Sequence, residues 1–477
     1  MTSAAKLTPT APGPAAAAEG YQAGQPSYRR IAVALFAAGV ATFALLYSTQ
    51  ALLPELARQF SVSAGQSTLS LSLTTAGLGV ALLVAGPASE VLGRTGLIRF
   101  SVIASGLVAL ACAAAPSWSW LLILRLAQGI ALAGLPAAAT AYLREELHPD
   151  TYSRAAGLYI GGNALGGMTG RLLTGAVADV AGWRWALASV ALLGLLCAGL
   201  VAVTLPASRN FTPAPARPGH LARMLKGAVA DPGLLALYGI GACCMGAFVG
   251  VYNVMGFRLT AAPFGLSVVA AGLVFLVYAI GTASSAIAGR LAERFSRRAV
   301  VPVGCLVAAA GVLLTLPDSL SSIVLGLAMM TAGFFAVHGV ASSWVPVRAH
   351  AGGVASAQAA SLYLFAYYLG SSVFGNLAGH AWTAGGWPAV VIASLSLLGV
   401  SGLLAAWLRR TPALAAASTD TSLPAPTQAC QAATRWPIPA ARPGRTRCPR
   451  DRPSRPPCPR HRRGPRPCNR RRERESG

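Results

Sequence analysis

Runs of about twenty apolar residues recur along this chain, and a run of that length crosses a hydrocarbon core of roughly 30 Å as a helix. They lie near 31–52, 67–87, 97–115, 119–142, 154–176, 184–205, 233–255, 266–288, 299–316, 320–343, 354–377 and 387–408. Only helices and closed barrels satisfy the backbone in lipid, and continuous hydrophobicity is not the alternation of a barrel strand. The predicted fold class is an all-α membrane protein of twelve transmembrane helices.

Composition excludes the obvious alternative. Of 477 residues, 54% are hydrophobic and 11% are charged, whereas a soluble domain carries about 25% charged residues. A net charge of +24 would suggest a nucleic-acid partner if taken whole. Divided, residues 1–410 hold 23 Lys and Arg against 10 Asp and Glu, and residues 411–477 hold 15 against 4. Nearly half the excess therefore sits in a tail outside the bundle, and nucleic acid is not an expected partner of the bundle itself.

Orientation follows from the short loops, because cytoplasmic loops are enriched in Lys and Arg. Arg94, Arg99, Arg144, Arg154, Arg209, Arg217, Arg223, Lys226, Arg290, Arg294, Arg297 and Arg298 fall on one side, together with both termini. Arg58, Arg171, Arg184 and Arg258 fall on the other. Both termini are therefore expected in the cytoplasm. The thirty residues before the first run are rich in Ala, Pro and Gly without a compact cleavable signal, so that run reads as an uncleaved anchor. Cys112, Cys197, Cys243, Cys244 and Cys305 lie within spans as small packing residues, and no disulfide or metal-ligand spacing emerges.

The chain repeats itself at an offset of 203 to 205 residues. Tyr47 aligns with Tyr252, Gly86, Glu90 and Arg94 with Gly289, Glu293 and Arg297, Leu165-Gly166 with Leu369-Gly370, and Gly182-Trp183 with Gly386-Trp387. This divides the chain into a disordered N-terminus (1–28), a first six-helix half (29–206), a central linker (207–231), a second half (232–410) and an Arg/Pro-rich tail (411–477). Six is even, so the halves are parallel repeats about an axis along the membrane normal. Such pairs hold a binding cavity near the midplane between them.

In each half a charged loop joins the second and third helices: GPASEVLGRTG and AGRLAERFSRR. Glycine allows a tight reversal, and Glu and Arg can bind neighbouring helix ends. The stretch resembles the signature loop of the major facilitator superfamily, commonly written G-x-x-x-D-R-x-G-R-[RK]. Gly86, Glu90, Gly93 and Arg94 match, with Glu for the usual Asp, and Gly289, Glu293 and Arg297 form the second copy. The loops depart from the pattern at Val91, Thr95 and Ser296. RLAQGIALA, residues 125–133, resembles the fourth-helix pattern of the same superfamily. YSTQALLPEL, HGVASSWV and SLYLFAYYLGSSVFG look like its bacterial sugar-efflux and drug-efflux branch.

The resemblance implies alternating access in the bacterial inner membrane, with substrate exchanged for protons, the proton gradient as energy source, and no bound cofactor. It implies a monomer whose partners are a small solute and the bilayer. It also implies that Glu90 and Arg94 act as a conformational latch, against the plainer reading of a solvated positive loop. Arg125, the one cation placed deep in a span, would take part in coupling, with Gln128 on its face; the alternative is a structural donor to interior carbonyls. Arg125 remains charged, so it cannot itself carry the proton. The spans hold no Asp or Glu at mid-depth, which leaves His338 as the titratable candidate, with hydrogen-bonded packing as its alternative. Glu55 or Glu90 acting through water is the other option.

Tyr47, Gln50, Tyr252, Asn253, Tyr363 and Tyr367 are the polar and aromatic side chains expected to line the cavity, or to pack between helices. Hydroxyls, amides and rings suit neutral or amphipathic ligands better than a strongly charged one. Gly162, Gly166 and Gly170 recur every fourth residue and permit close helix approach; the region resembles an antiporter-associated glycine motif but lacks its Gly-Pro pair. The tail, with Cys448, Cys458 and Cys468 at intervals of ten, cannot bury a core. It would be drawn to anionic lipid or RNA, or reflects out-of-frame coding in a GC-rich gene. No Walker-type phosphate loop is present, and no convergent nucleophile, base or metal group suggests an enzyme. A transporter-like sensor that binds without transporting is the competing function.

Overall fold

The computed structural model describes residues 20–213 and 226–411. The tail from residue 412, including Cys448, Cys458 and Cys468, and residues 214–225 of the central linker lie outside the described residues.

In chain order the elements are α1 (Pro26–Leu46), a 3-10 turn (Gln50–Leu52), α2 (Leu53–Gln59), α3 (Ala64–Leu92), α4 (Arg94–Ala113), α5 (Trp118–Leu132), α6 (Gly134–Glu146) and α7 (Pro149–Thr204). The second half holds α8 (Pro232–Thr260), α9 (Val268–Gly272), a 3-10 stretch (Leu273–Val277), α10 (Tyr278–Phe295), α11 (Arg297–Leu314), α12 (Leu320–Ala351) and α13 (Ser356–Arg410). Among the described residues, ten continuous helical stretches are long and apolar enough to cross a membrane. Two of them, α7 with 56 residues and α13 with 55, are interrupted by non-helical backbone at Gly182 and at Gly385 and Gly386. Each of these is two crossings, so the ten stretches make the twelve expected helices.

Local chemistry sets the ends. Pro26, Pro149 and Pro232 stand in the first turn of their helices, where a missing N–H costs nothing. Ser63 and Gln66 form a reciprocal capping box at the start of α3, which satisfies two otherwise orphaned donors. Between α3 and α4 the chain reverses at Gly93, with φ 91°. The same reversal recurs in the second half at Ser296, with φ 87°, so the repeat read from the sequence is a repeat of backbone geometry. Gly182 and Gly386 likewise share positive φ, at 80° and 61°, and the following Trp183 and Trp387 are both buried.

Helices from each half pack through small residues. A Cβ at Gly166 would run into the Val40 carbonyl of α1, and one at Gly370 into the Ala242 carbonyl of α8. Close packing is thus what the glycine series of the fifth helix supplies, and its counterpart stands at the repeat-related place. Large apolar side chains such as Val180, Val203 and Leu403 are exposed on the periphery, a surface suited to lipid rather than water.

Two segments expected outside the ordered bundle are tied to it. Tyr21 donates its N–H to the Glu146 carbonyl at 2.8 Å and accepts from the His148 N–H at 3.1 Å. The first linker residues dock on α6, where the Glu146 carboxylate accepts from the N–H groups of Arg209 at 2.6 Å and Asn210 at 3.0 Å. A buried carboxylate facing bare backbone donors anchors the linker, and backbone bonds hold the segment at Tyr21. The end carrying these segments and the signature loops is called the basic end below, and the opposite end the far end.

Candidate functional site

Between the halves, at mid-depth, aromatic side chains form a continuous cluster. Phe248 of α8 stacks on Phe334 of α12 at 4.0 Å and lies 4.9 Å from Tyr252 and 5.2 Å from Tyr278. His338 stands 4.6 Å from the Tyr367 ring, and its Nδ1 is 3.0 Å from the Tyr363 hydroxyl. The Tyr252 hydroxyl is bonded to the Thr331 hydroxyl at 2.8 Å. Tyr252, Tyr363, Tyr367 and His338, chosen separately from the sequence, therefore lie in one wall. Tyr278, Phe248 and Phe334 belong to it as well and were missed, because one aromatic residue in an apolar run carries no positional signal.

At the edge of this wall stands Arg171, 1% exposed. Its Nε donates to Gln50 Oε1 at 2.6 Å, and one terminal nitrogen donates to the Gly167 carbonyl at 2.6 Å. The other terminal nitrogen reaches the Tyr278 hydroxyl at 3.4 Å. Its guanidinium lies 4.2 Å from the Tyr47 ring centre, 4.6 Å from Tyr278 and 4.9 Å from Phe275. Two expectations are corrected here: Arg171 is not a charge of the far-side loops, and Arg125 is not the one cation deep in a span. The physical reason is where the fifth helix ends. Its apolar run continues past Arg171 to the break at Gly182, which puts Arg171 about 15 Å inside the far end at 1.5 Å per residue. The readable clue was the apolar stretch following Arg171, which the placed span end at 176 cut short.

Arg125 sits in a different setting. It is 1% exposed and donates to the carbonyls of Ser70, Leu45 and Leu46 at 2.9, 3.2 and 2.9 Å, and to Gln128 Oε1 at 2.6 Å. The Ser48 and Thr49 hydroxyls add contacts at 3.1 and 3.4 Å. All of these belong to the first half. Arg125 and Gln128 come together as expected, and the Leu45 and Leu46 carbonyls lie where α1 ends and its chain turns, with Ser70 on α3.

A chain of polar contacts ties the halves together. Gln50 Nε2 donates to Asn253 Oδ1 at 2.7 Å, and Asn253 Nδ2 donates to the Gly375 carbonyl at 3.3 Å. Gln50 and Asn253 are 203 residues apart, the repeat offset, so the pair joins matching positions of the two halves. The Asp179 carboxylate accepts from the backbone N–H groups of Val268 and Val269 at 3.2 and 3.1 Å. Asn376 donates to the Gly65 carbonyl at 2.7 Å, and Ser372 to the Ser72 carbonyl at 2.7 Å. Among the described residues, every hydrogen bond between the halves lies between mid-depth and the far end.

At the basic end a cavity of about 670 Å³ lies within the second half, lined by Ser285, Gly289, Glu293, Arg297, Arg298, Gly339, Trp344 and Arg348, among others. The latch residues do not bridge the halves. Arg94 pairs with Glu145 of α6 at 2.8 Å, within its own half, and Glu90 is exposed. Gly86 approaches the other half, with Ser361 Oγ 3.9 Å from where its Cβ would stand. Among the described residues, no group of His, Cys, Asp and Glu is arranged to hold a metal ion.

The sequence profile of the Major Facilitator Superfamily matches residues 32–373. An "uncharacterized MFS-type transporter YybF" of Bacillus subtilis is 40% identical over 81% of this chain and 95% of its own length. The "inner membrane transport protein YnfM" of Escherichia coli is 40% identical over 77% of this chain and 87% of its own. Among solved structures, a bacterial homologue of the human lysosomal transporter Spinster, in an inward-facing and unoccupied conformation, superposes with a TM-score of 0.62. It shares 19% identity over 81% of this chain and 95% of that one.

Proposed function

The chain belongs to the Major Facilitator Superfamily, and from that premise we propose that it exports a small amphipathic organic solute by proton-coupled alternating access across the bacterial inner membrane. In this reading the basic end is cytoplasmic, the chain works as a monomer, and the proton gradient drives transport without a cofactor. The observation that supports the proposal is the asymmetry of the seam: among the described residues, every hydrogen bond between the halves lies between mid-depth and the far end, and none joins them at the basic end. Two halves held together at one end only are one member of an alternating pair.

The wall of rings favours an amphipathic solute over a sugar, because stacking and burial dominate where hydroxyl and amide partners are few. His338, at the Tyr363 hydroxyl, is the titratable group placed to sense a bound proton or solute. Arg125 holds the end of α1 against α3 and α5, so its part in coupling is indirect.

The test is proton movement in inverted vesicles containing the protein, on addition of neutral sugars and of amphipathic dyes. Dye-evoked proton release that the His338→Ala variant loses is the expected result. Labelled solute crossing without proton movement refutes the coupling. Binding without any crossing, in the chain and in a tail-deleted form alike, makes the protein a sensor and refutes transport.

A further inference from the structure

Of the buried arginines that the structure describes, Arg94, Arg258 and Arg348 each face a carboxylate: Glu145 at 2.8 Å, Asp318 at 3.0 Å and Asp231 at 2.9 Å. Arg125 and Arg171 do not; among the described residues no ion pair includes either of them. A buried, uncompensated cation is costly unless something stabilises it. For Arg125 the answer is complete, since three carbonyls, two hydroxyls and an amide surround it.

Arg171 is less well provided. A guanidinium has five N–H donors, and the acceptors around Arg171 are one amide oxygen, one carbonyl and a tyrosine hydroxyl at 3.4 Å. The remaining stabilisation comes from three ring faces, two of them, Phe275 and Tyr278, belonging to the opposite half. Those contacts hold only while the far end is closed. When the halves part there, Arg171 loses Phe275 and Tyr278 and faces the space between them with its charge unmatched.

The backbone at this level is also irregular. The first helix stops at Leu46 and resumes as a 3-10 turn at Gln50, and the chain opposite is 3-10 from Leu273 to Val277. Non-α backbone at membrane depth is tolerated where it is buried in protein or lines a cavity, and short 3-10 stretches inside helices mark hinges. Both irregular stretches flank Arg171, through Tyr47 and Gln50 on one side and Phe275 on the other. At the basic end of the second half, Arg297, Arg298 and Arg348 line a cavity together with Glu293, and Arg348 is matched by Asp231. The net positive charge on that side concentrates anions near the protein.

We propose that Arg171 is the anion-binding residue of the substrate site, and that the solute is an amphipathic organic anion whose ring lies against Tyr47, Phe275 and Tyr278. The carboxylate takes the free donors of the guanidinium in a forked contact, and the aromatic faces that now cover the cation take the ring. The solute thereby supplies the counter-charge that the protein withholds. This deepens the transport reading and rests on it for the word solute, but not for the site.

The test is binding of three probes of one shape, 1-naphthoate, 1-naphthamide and 1-naphthylmethylammonium, to the purified full chain by calorimetry at neutral pH. The native protein should bind naphthoate at least tenfold more tightly than the other two. Arg171→Gln should bring naphthoate down to the level of naphthamide and leave naphthamide unchanged, while Arg171→Lys should keep part of the preference. Equal affinities in the native protein, or no naphthoate binding, overturn the proposal without any variant. An equal loss for naphthoate and naphthamide in Arg171→Gln overturns it too, and makes Arg171 a clasp between the halves. Flux of labelled naphthoate in proteoliposomes is read separately: selective binding without flux refutes the transport reading and leaves the anion site standing.

Discussion

Exchanging one residue between the two signature loops should move stability in opposite directions. Gly93 has φ 91° and ψ 148°, and Ser296, 203 residues later, has φ 87° and ψ 147°. That region is open almost only to glycine, and a residue with a side chain held there costs about 1 to 3 kcal/mol. Glycine recovers less than the whole, because its freer unfolded chain costs roughly 0.5 to 1 kcal/mol. Ser296→Gly should therefore stabilise the protein by about 1 kcal/mol, and Gly93→Ser should destabilise it by a similar amount. Neighbours do not decide the sign at Gly93, since a Cβ there would meet Phe211 at 3.8 Å, an ordinary contact. The Ser296 side chain is exposed, so its removal forfeits little. The two loops lie in different halves, so the double exchange should be nearly neutral. The assay is reversible unfolding of the purified protein in mixed micelles, titrated with a denaturing detergent. A Ser296→Gly variant that is neutral or less stable would refute the strain argument.

Gly166→Val should abolish folding or lower the yield of monodisperse protein severely, because its side chain enters the Val40 carbonyl and overpacking costs about 1 to 3 kcal/mol or more; a native elution profile would contradict this. Asp179→Asn should loosen the far end, since it weakens charge-assisted bonds to Val268 and Val269 worth roughly 1 kcal/mol net. A cysteine introduced by Thr260→Cys should then react several-fold faster with an impermeant reagent, and an unchanged rate would disprove the gate contact. Arg125→Met takes the charged donor from the Leu46 carbonyl and from Gln128, while the Leu45 and Ser70 carbonyls keep the Ser48 and Thr74 hydroxyls, and it should lose stability by about 1 to 3 kcal/mol. A stable variant that folds but cannot transport would assign Arg125 a direct coupling role instead.

Legibility differed sharply between the two levels. Span number, the repeat and the reversal at Gly93 are properties of short stretches, and each could be read where it stands. Gln50 and Asn253 were picked out individually as amides in apolar runs, yet their bond could not be, because it needs the two halves face to face. Arg94 illustrates the same limit: its loop marked it, but nothing in the loop named Glu145 as its partner. Arg171 was placed outside the site altogether, since the apolar run was ended at 176, whereas the helix continues to Gly182 and leaves Arg171 about three turns inside.

The sequence by itself determined that this chain crosses a membrane as two homologous six-helix halves, because hydrophobic length and periodicity are local and the bilayer converts them directly into helices. It also marked Gln50, Arg125, Gln128, Asn253 and His338 as polar side chains inside apolar runs, while missing Arg171. What only the tertiary structure decided is which end of the seam is closed, which arginines find a carboxylate, and that Arg171 meets Tyr47, Phe275 and Tyr278. Those depend on the rotation and depth of each helix against its neighbours, which are set by packing at contacts such as Gly166 on Val40 and summed over the whole bundle.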